Sequence, residues 1–185
     1  DGGSLRNAIP REATAYVAVN NADKFIEALS VLKKEILEEF ESIEANLQIN
    51  IETATSTGEA ISVEDTKKLI YVLKSLHNGV YRMSPDVQDL VEASNNIARV
   101  ELKNGDLQIL NLSRSSVESS KYSVAEQLKC VAELAGMNVE MSGSYPGWKP
   151  KPGSEIVQIM EKIYSDKFGE KPNVVACHAG LECGI

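Results

Sequence analysis

Apolar residues recur at Phe25, Leu29, Leu32, Ile36, Phe40 and Ile43, in steps of four and three, which marks one stripe of a long helix opening at Asn21. The opposite face sends Glu27, Lys34, Glu38 and Glu41 into water. Upstream, the run Thr14-Ala15-Tyr16-Val17-Ala18-Val19 has strand propensity, and Pro10, which lacks a backbone donor, predicts a break or an edge position before it. Downstream, Leu47, Ile49 and Ile51 alternate with Gln48, Asn50 and Glu52, the period of a half-buried strand.

Ser62 with Asp65 is a capping-box-like start to a second helix, carried on by Leu69, Leu73 and Leu76 and closed by Asn78-Gly79. Residues 95–102 and 107–112 flank Asn104-Gly105, a dipeptide that supplies positive φ at both centres of a type I′ turn, so a β-hairpin is expected there. Leu110, Asn111 and Leu112 break simple alternation and suggest a central strand covered on both faces. Ser115 and Glu118 can open a third helix along Val124, Leu128, Val131 and Ala135, ending at Gly136, and a short strand follows at residues 139–141. The order of elements predicts an α+β fold: an antiparallel sheet with helices on one face, similar to a ferredoxin-like unit with extra elements.

Residues 142–153 hold three glycines and three prolines around Trp148 and read as an exit linker. Beyond it, Ile156, Ile159, Met160 and Ile163 stripe a helix that ends by Gly169, and residues 173–177 look like a buried strand running into His178-Ala179-Gly180-Leu181. A tail of this size is too small for a core of its own and must pack on something else.

Composition narrows the function classes. The chain has 185 residues, enough for one ordinary domain and part of another. It has a net charge of -8, with no clustering of its basic residues, which argues against nucleic acid as a partner. No apolar run of about 18 residues exists to span a membrane, and residues 1–4 have no export-signal character. Cys130, Cys177 and Cys183 are odd in number, which favours reduced thiols and a cytoplasmic location. The absence of an initiator Met and the stop inside a small-residue motif suggest a piece of a longer polypeptide.

Cys177-His178 with Glu182-Cys183 gathers soft and hard ligands, but the spacing fits no paired-knuckle zinc site and no second cluster exists. The two cysteines read instead as small buried hydrophobes. A Cys-His nucleophile pair fares no better, because sequence adjacency provides neither a positioned base nor an oxyanion hole. His178, followed by two small residues, either lets a ligand approach the backbone or simply ends a strand. His77 reads as a surface residue in the last turn of its helix, where a cation suits the helix C-terminus. Arg114, just past an apolar run, either grips a carboxylate with its planar fork or pairs with a surface Glu. Asn7 before Ile9-Pro10 is either a turn amide or a ligand-facing one.

Five blocks carry a resemblance in register along the whole chain: residues 2–13 (Gly-Gly-Ser-Leu-Arg-Asn-Ala-Ile-Pro-Arg-Glu-Ala), 78–84 (Asn-Gly-Val-Tyr-Arg-Met-Ser), Arg114-Ser115-Ser116-Val117, residues 145–150 (Tyr-Pro-Gly-Trp-Lys-Pro) and residues 178–184 (His-Ala-Gly-Leu-Glu-Cys-Gly). Together they resemble the bacterial aminoacyl-histidine dipeptidase family, the Xaa-His or peptidase D, carnosinase-like enzymes of the co-catalytic metal aminoacylase and carboxypeptidase superfamily. The resemblance implies a ferredoxin-like lid and dimerisation domain at residues 1–144 and a partial return into an α/β catalytic domain at 145–185. It implies two zinc ions in the parent catalytic domain, with the ligands and the catalytic Glu outside this chain, which alone would bind no metal and be inactive. It also implies a dipeptide substrate and a homodimer formed through the lid. Asn7 and Arg114 match positions that hold the peptide backbone and its C-terminal carboxylate, and His178 and Glu182 lie in the block that lines the substrate pocket. The alternative is a stand-alone ferredoxin-like binding or dimerisation module in which the motifs serve packing only.

Overall fold

Asn104 (φ 53°) and Gly105 (φ 84°) both occupy the left-handed region that a two-residue hairpin turn requires. In the computed structural model, which describes residues 1–54 and 59–178, they join two antiparallel strands paired from Ala93 with Ser115 to Lys103 with Asp106. The described elements are β1 (Gly2–Gly3), α1 (Ala22–Phe40), α2 (Val63–Ser75), β2 (Gly79–Met83), β3 (Val91–Lys103), β4 (Asp106–Ser115), α3 (Glu118–Leu134) and α4 (Glu155–Phe168). The fold is α+β, as the sequence implies.

β3 is the axis of the sheet. β4 covers one of its edges, and the other is shared, with β2 pairing at Val91 to Asn95 and β1 at Arg99 and Val100. Between those two patches the Asn78 Oδ1 accepts a hydrogen bond from the Ile97 N–H at 2.8 Å, which supplies a side-chain acceptor where the edge has no strand carbonyl. Val72 and Leu76 from the α2 region and Val124 and Leu128 from α3 are buried with Ala93 of β3, so both helices lie on one face of the sheet. Asn95 is buried in the sheet without being orphaned. Its Nδ2 donates to the His77 carbonyl at 2.8 Å and to Asn111 Oδ1 at 3.1 Å, and its Oδ1 accepts from Ser113 Oγ at 2.9 Å.

The chain forms two compact units, one of residues 1–13 together with those from Val63 onward, the other Thr14–Ser62. In the second, Asn21 caps α1 by accepting from the Lys24 N–H at 3.0 Å, and Lys34 pairs with Glu38 one turn on at 3.6 Å.

Several sequence expectations need correction. Residues 14–19, 47–52, 139–141 and 173–177 run without a strand ladder. Strand propensity records how well side chains suit a pleated surface, whereas a strand also needs a partner for its backbone groups. Val174 and Val175, expected in a buried strand, are exposed, and so is Cys177, expected as a small buried hydrophobe. Cys183 lies outside the described residues. α3 starts after Val117 with no side-chain cap. The Ser115 hydroxyl accepts from the Val117 N–H at 3.1 Å, and the Glu118 carboxylate is occupied elsewhere. His77 is not a surface residue in the last turn of α2, which ends at Ser75, but is half-buried beyond it. Its Nε2 is buried without a hydrogen-bond partner among the described residues, and the ring stands edge-on to Tyr81 with centroids 5.3 Å apart.

Candidate functional site

The first thirteen residues form a closed loop laid against β3. Gly2 bridges to Ala13, the Gly3 N–H donates to the Glu12 carbonyl at 3.2 Å, and Ala8 N–H to the Leu5 carbonyl at 3.1 Å makes the turn. Gly3 has φ 80°, and a Cβ there would stand 1.9 Å from the Ala98 carbonyl oxygen, so only glycine brings the loop this close to the strand. At the far side the Asn96 Nδ2 donates to the carbonyls of Arg6 and Ala8, at 3.1 and 2.8 Å. Asn7 lies between those two carbonyls with its side chain exposed.

Arg114, near the end of β4, is the cross-strand partner of Ser94. The residue is half-buried, and among the described residues its guanidinium has no carboxylate partner. The ion-pair explanation of Arg114 therefore has no support in the described residues. His178 arrives from the far end of the chain, with its Nε2 2.8 Å from Ser94 Oγ. Burial lowers the pKa of His178, the nearby positive charge of Arg114 lowers it further, and a hydrogen bond to the Val91 backbone opposes them. The stability tied to the neutral ring is therefore complete above pH 6.5 and is lost as the pH falls through the lowered value.

A cavity of about 640 Å³ runs along β4 and is lined by Arg6, Arg114, Tyr145, Trp148 and His178 among others. Four of the five sequence blocks are thus represented around one space. The 145–148 stretch is fastened from α3: Glu118 Oε1 accepts from the Gly147 N–H at 2.6 Å and from Lys121 Nζ at 2.8 Å, and Lys121 Nζ also donates to the Tyr145 carbonyl. The Lys121 hydrogen bond, then that of Gly147, lowers the pKa of the exposed Glu118.

The cavity combines apolar walls from β4 with a guanidinium that has no carboxylate partner among the described residues and an imidazole of lowered basicity, which suits a small molecule carrying a carboxylate. Asn7 itself does not line it; its neighbour Arg6 does. Glu182 lies outside the described residues. Ser94 and Asn96 were missed by sequence reasoning, although polar residues two apart inside a strand were a usable signal. Among the described residues no three His, Cys, Asp or Glu side chains come together as a metal site, so these residues do not fit a dinuclear metal centre. Nor, among them, is any helix long and apolar enough to cross a membrane.

The chain has two histidines, so proton NMR resolves the His178 titration directly. Its midpoint is expected below 6.5, and Arg114→Ala should move it upward by removing the adjacent positive charge. An unchanged midpoint in that variant would mean that the two groups do not sense one another.

No protein-family model matches the chain. It is 36% identical over 188 residues to the cytosol non-specific dipeptidase of Escherichia coli (strain K12), an alignment that takes in 100% of this chain and 39% of that protein. The crystal structure of aminoacylhistidine dipeptidase from Vibrio alginolyticus superposes with a TM-score of 0.88 at 41% identity, over 99% of this chain and 38% of that one. The chain thus spans about two-fifths of the length of the relatives it matches and is dipeptidase-like from end to end.

Proposed function

We propose that this chain is the substrate-holding part of a metal-dependent dipeptidase that hydrolyses Xaa-His-type dipeptides. Residues 1–144 act as lid and dimerisation domain, and residues 145–185 belong to the catalytic domain. In this reading the parent is a cytoplasmic homodimer whose remaining chain carries two zinc ions, which supply the attacking water. This chain's own residues bind and orient. Arg114 takes the C-terminal carboxylate of the dipeptide in its fork, Asn7 and its loop hold the peptide backbone, and His178 and Glu182 line the pocket. The observation that supports the reading most is the half-buried Arg114 with no carboxylate partner among the described residues, facing a cavity beside a ring of lowered basicity.

The test uses the full-length protein loaded with zinc. Arg114→Ala should lower kcat/KM for a dipeptide by roughly 10- to 150-fold, the equivalent of about 1.5–3 kcal/mol for a charge-assisted bond. Arg114→Lys should recover only part, since it has charge without the planar fork. Wild type should discriminate strongly against a substrate with an amidated C-terminus, and the Ala variant should hardly tell the two apart. Full discrimination in the Ala variant would remove Arg114 from the site. A wild type inert toward every dipeptide would remove the reading.

A further inference from the structure

Two residues of β3 that do not themselves line the cavity tie the candidate site together. Ser94 and Asn96 are two positions apart, so they project from the same face of the sheet, and the irregularity in the β3–β4 ladder falls beyond them, between Ile97 and Arg99. Ser94 Oγ meets His178 Nε2 at 2.8 Å across 84 residues of sequence. Asn96 Nδ2 meets the Arg6 and Ala8 carbonyls across 90 and 88 residues. Arg114 is the direct cross-strand neighbour of Ser94, and Leu112 that of Asn96.

We infer that Ser94 and Asn96 are positioning residues that set the Asn7 loop and His178 at fixed offsets from Arg114; the inference rests on the dipeptidase reading above. One carboxamide donates to the two carbonyls that flank the Asn7–Ala8 peptide plane, those of Arg6 and Ala8. The 6–7 and 8–9 peptide planes cannot then rotate without breaking one of those bonds, and the Asn7–Ala8 plane between them is held by the Ala8 N–H bond to the Leu5 carbonyl. The loop is also anchored at its base, by the Gly2–Ala13 bridge and the Gly3 pairing, and has an internal turn bond. Ser94 does the same for the imidazole, with the Val91 backbone as the second partner of the ring. One rigid strand thus gives three segments distant in sequence a common frame, where a misplacement of about 1 Å costs on the order of a hundredfold in rate.

The experiment is a pair of double-mutant cycles in the full-length enzyme, with kcat/KM for a dipeptide as the readout. Asn96→Ala should lower kcat/KM by roughly tenfold to a hundredfold in the wild-type background. The same change should cost less than about threefold once Asn7→Ala is present, because the loop then has no Asn7 side chain to position. Ser94→Ala should behave likewise toward His178→Ala, and Ser94→Thr, which keeps the hydroxyl, should restore most of the activity. Asn96→Asp, nearly the same shape without the donors, should match Asn96→Ala and guards against an effect of lost volume. Amide exchange at residues 5–8 should quicken in both Asn96 variants while that of β4 stays unchanged. Equal losses in both backgrounds, or unchanged exchange in the loop, would overturn the inference while leaving an active wild type and the dipeptidase reading intact. A wild type that hydrolyses no dipeptide would overturn both.

Discussion

Arg82→Ala is expected to destabilise this chain by about 3 kcal/mol, the low end of the range for breaking a buried ion pair. The Glu92 residue is 2% exposed, and its carboxylate receives the Arg82 Nη2 at 2.7 Å and the Ser120 Oγ at 2.8 Å. Removal of the guanidinium leaves the buried carboxylate, among the described residues, with the Ser120 hydroxyl and the more distant Lys149 charge. Arg82 is itself half-exposed, so water can reach part of the vacated space, which is why the low end applies. A loss of that size lowers Tm by roughly 6–12 °C for a chain of this length. Glu92→Gln in the Arg82→Ala background should regain a large part of it, since an uncharged amide costs much less to bury. Denaturant midpoints of the four proteins in this cycle check the expectation; a loss under about 1 kcal/mol for Arg82→Ala would mean that solvent replaces the guanidinium.

Gly3→Ala is expected to cost at least about 2 kcal/mol by forcing a choice between two unfavourable states. With φ at 80° the alanine is strained, and its Cβ would lie 1.9 Å from the Ala98 oxygen, a distance no side-chain adjustment relieves because both contacting parts are backbone-fixed. The chain must release β1 from β3. In the full-length protein the same change should lower kcat/KM, because the loop bearing Asn7 loses its base. Thermal unfolding together with amide exchange at Gly3 checks this: retained protection at Gly3 with an unchanged Tm would show that the close approach is not needed.

How much of this was legible in the sequence depends on what each signal measures. α1 and α3 were readable because a 3.6-residue apolar repeat reports a local geometry, and the hairpin because Asn104-Gly105 meets a local steric demand. β1 was invisible, since Gly2-Gly3 has no side chains to pattern, and β2 was masked by Asn78-Gly79, which read correctly as a helix stop but not as a strand start. Residues 14–19 and 173–177 show the converse: their side chains suit a strand, but they form no ladder. Arg114 and His178 stood out as polar groups at the ends of apolar runs. Ser94 and Asn96 did not, because their importance lies in partners 84 to 90 residues away.

The sharing of one edge of β3 between β2 and β1 also sets an order of folding. The β3–β4 pair closes across a two-residue turn, an event on the order of microseconds. β1 must instead close a loop of roughly 100 residues, at an entropic cost about 2 kcal/mol above that of a ten-residue loop. The hairpin therefore offers a finished edge before the N-terminal segment can dock on it, and the Asn7 loop joins last. Its opening free energy then lies below that of the hairpin. The same arithmetic makes the 14–62 excursion tolerant of insertion, since each doubling of the closed loop adds only about 0.6 kcal/mol.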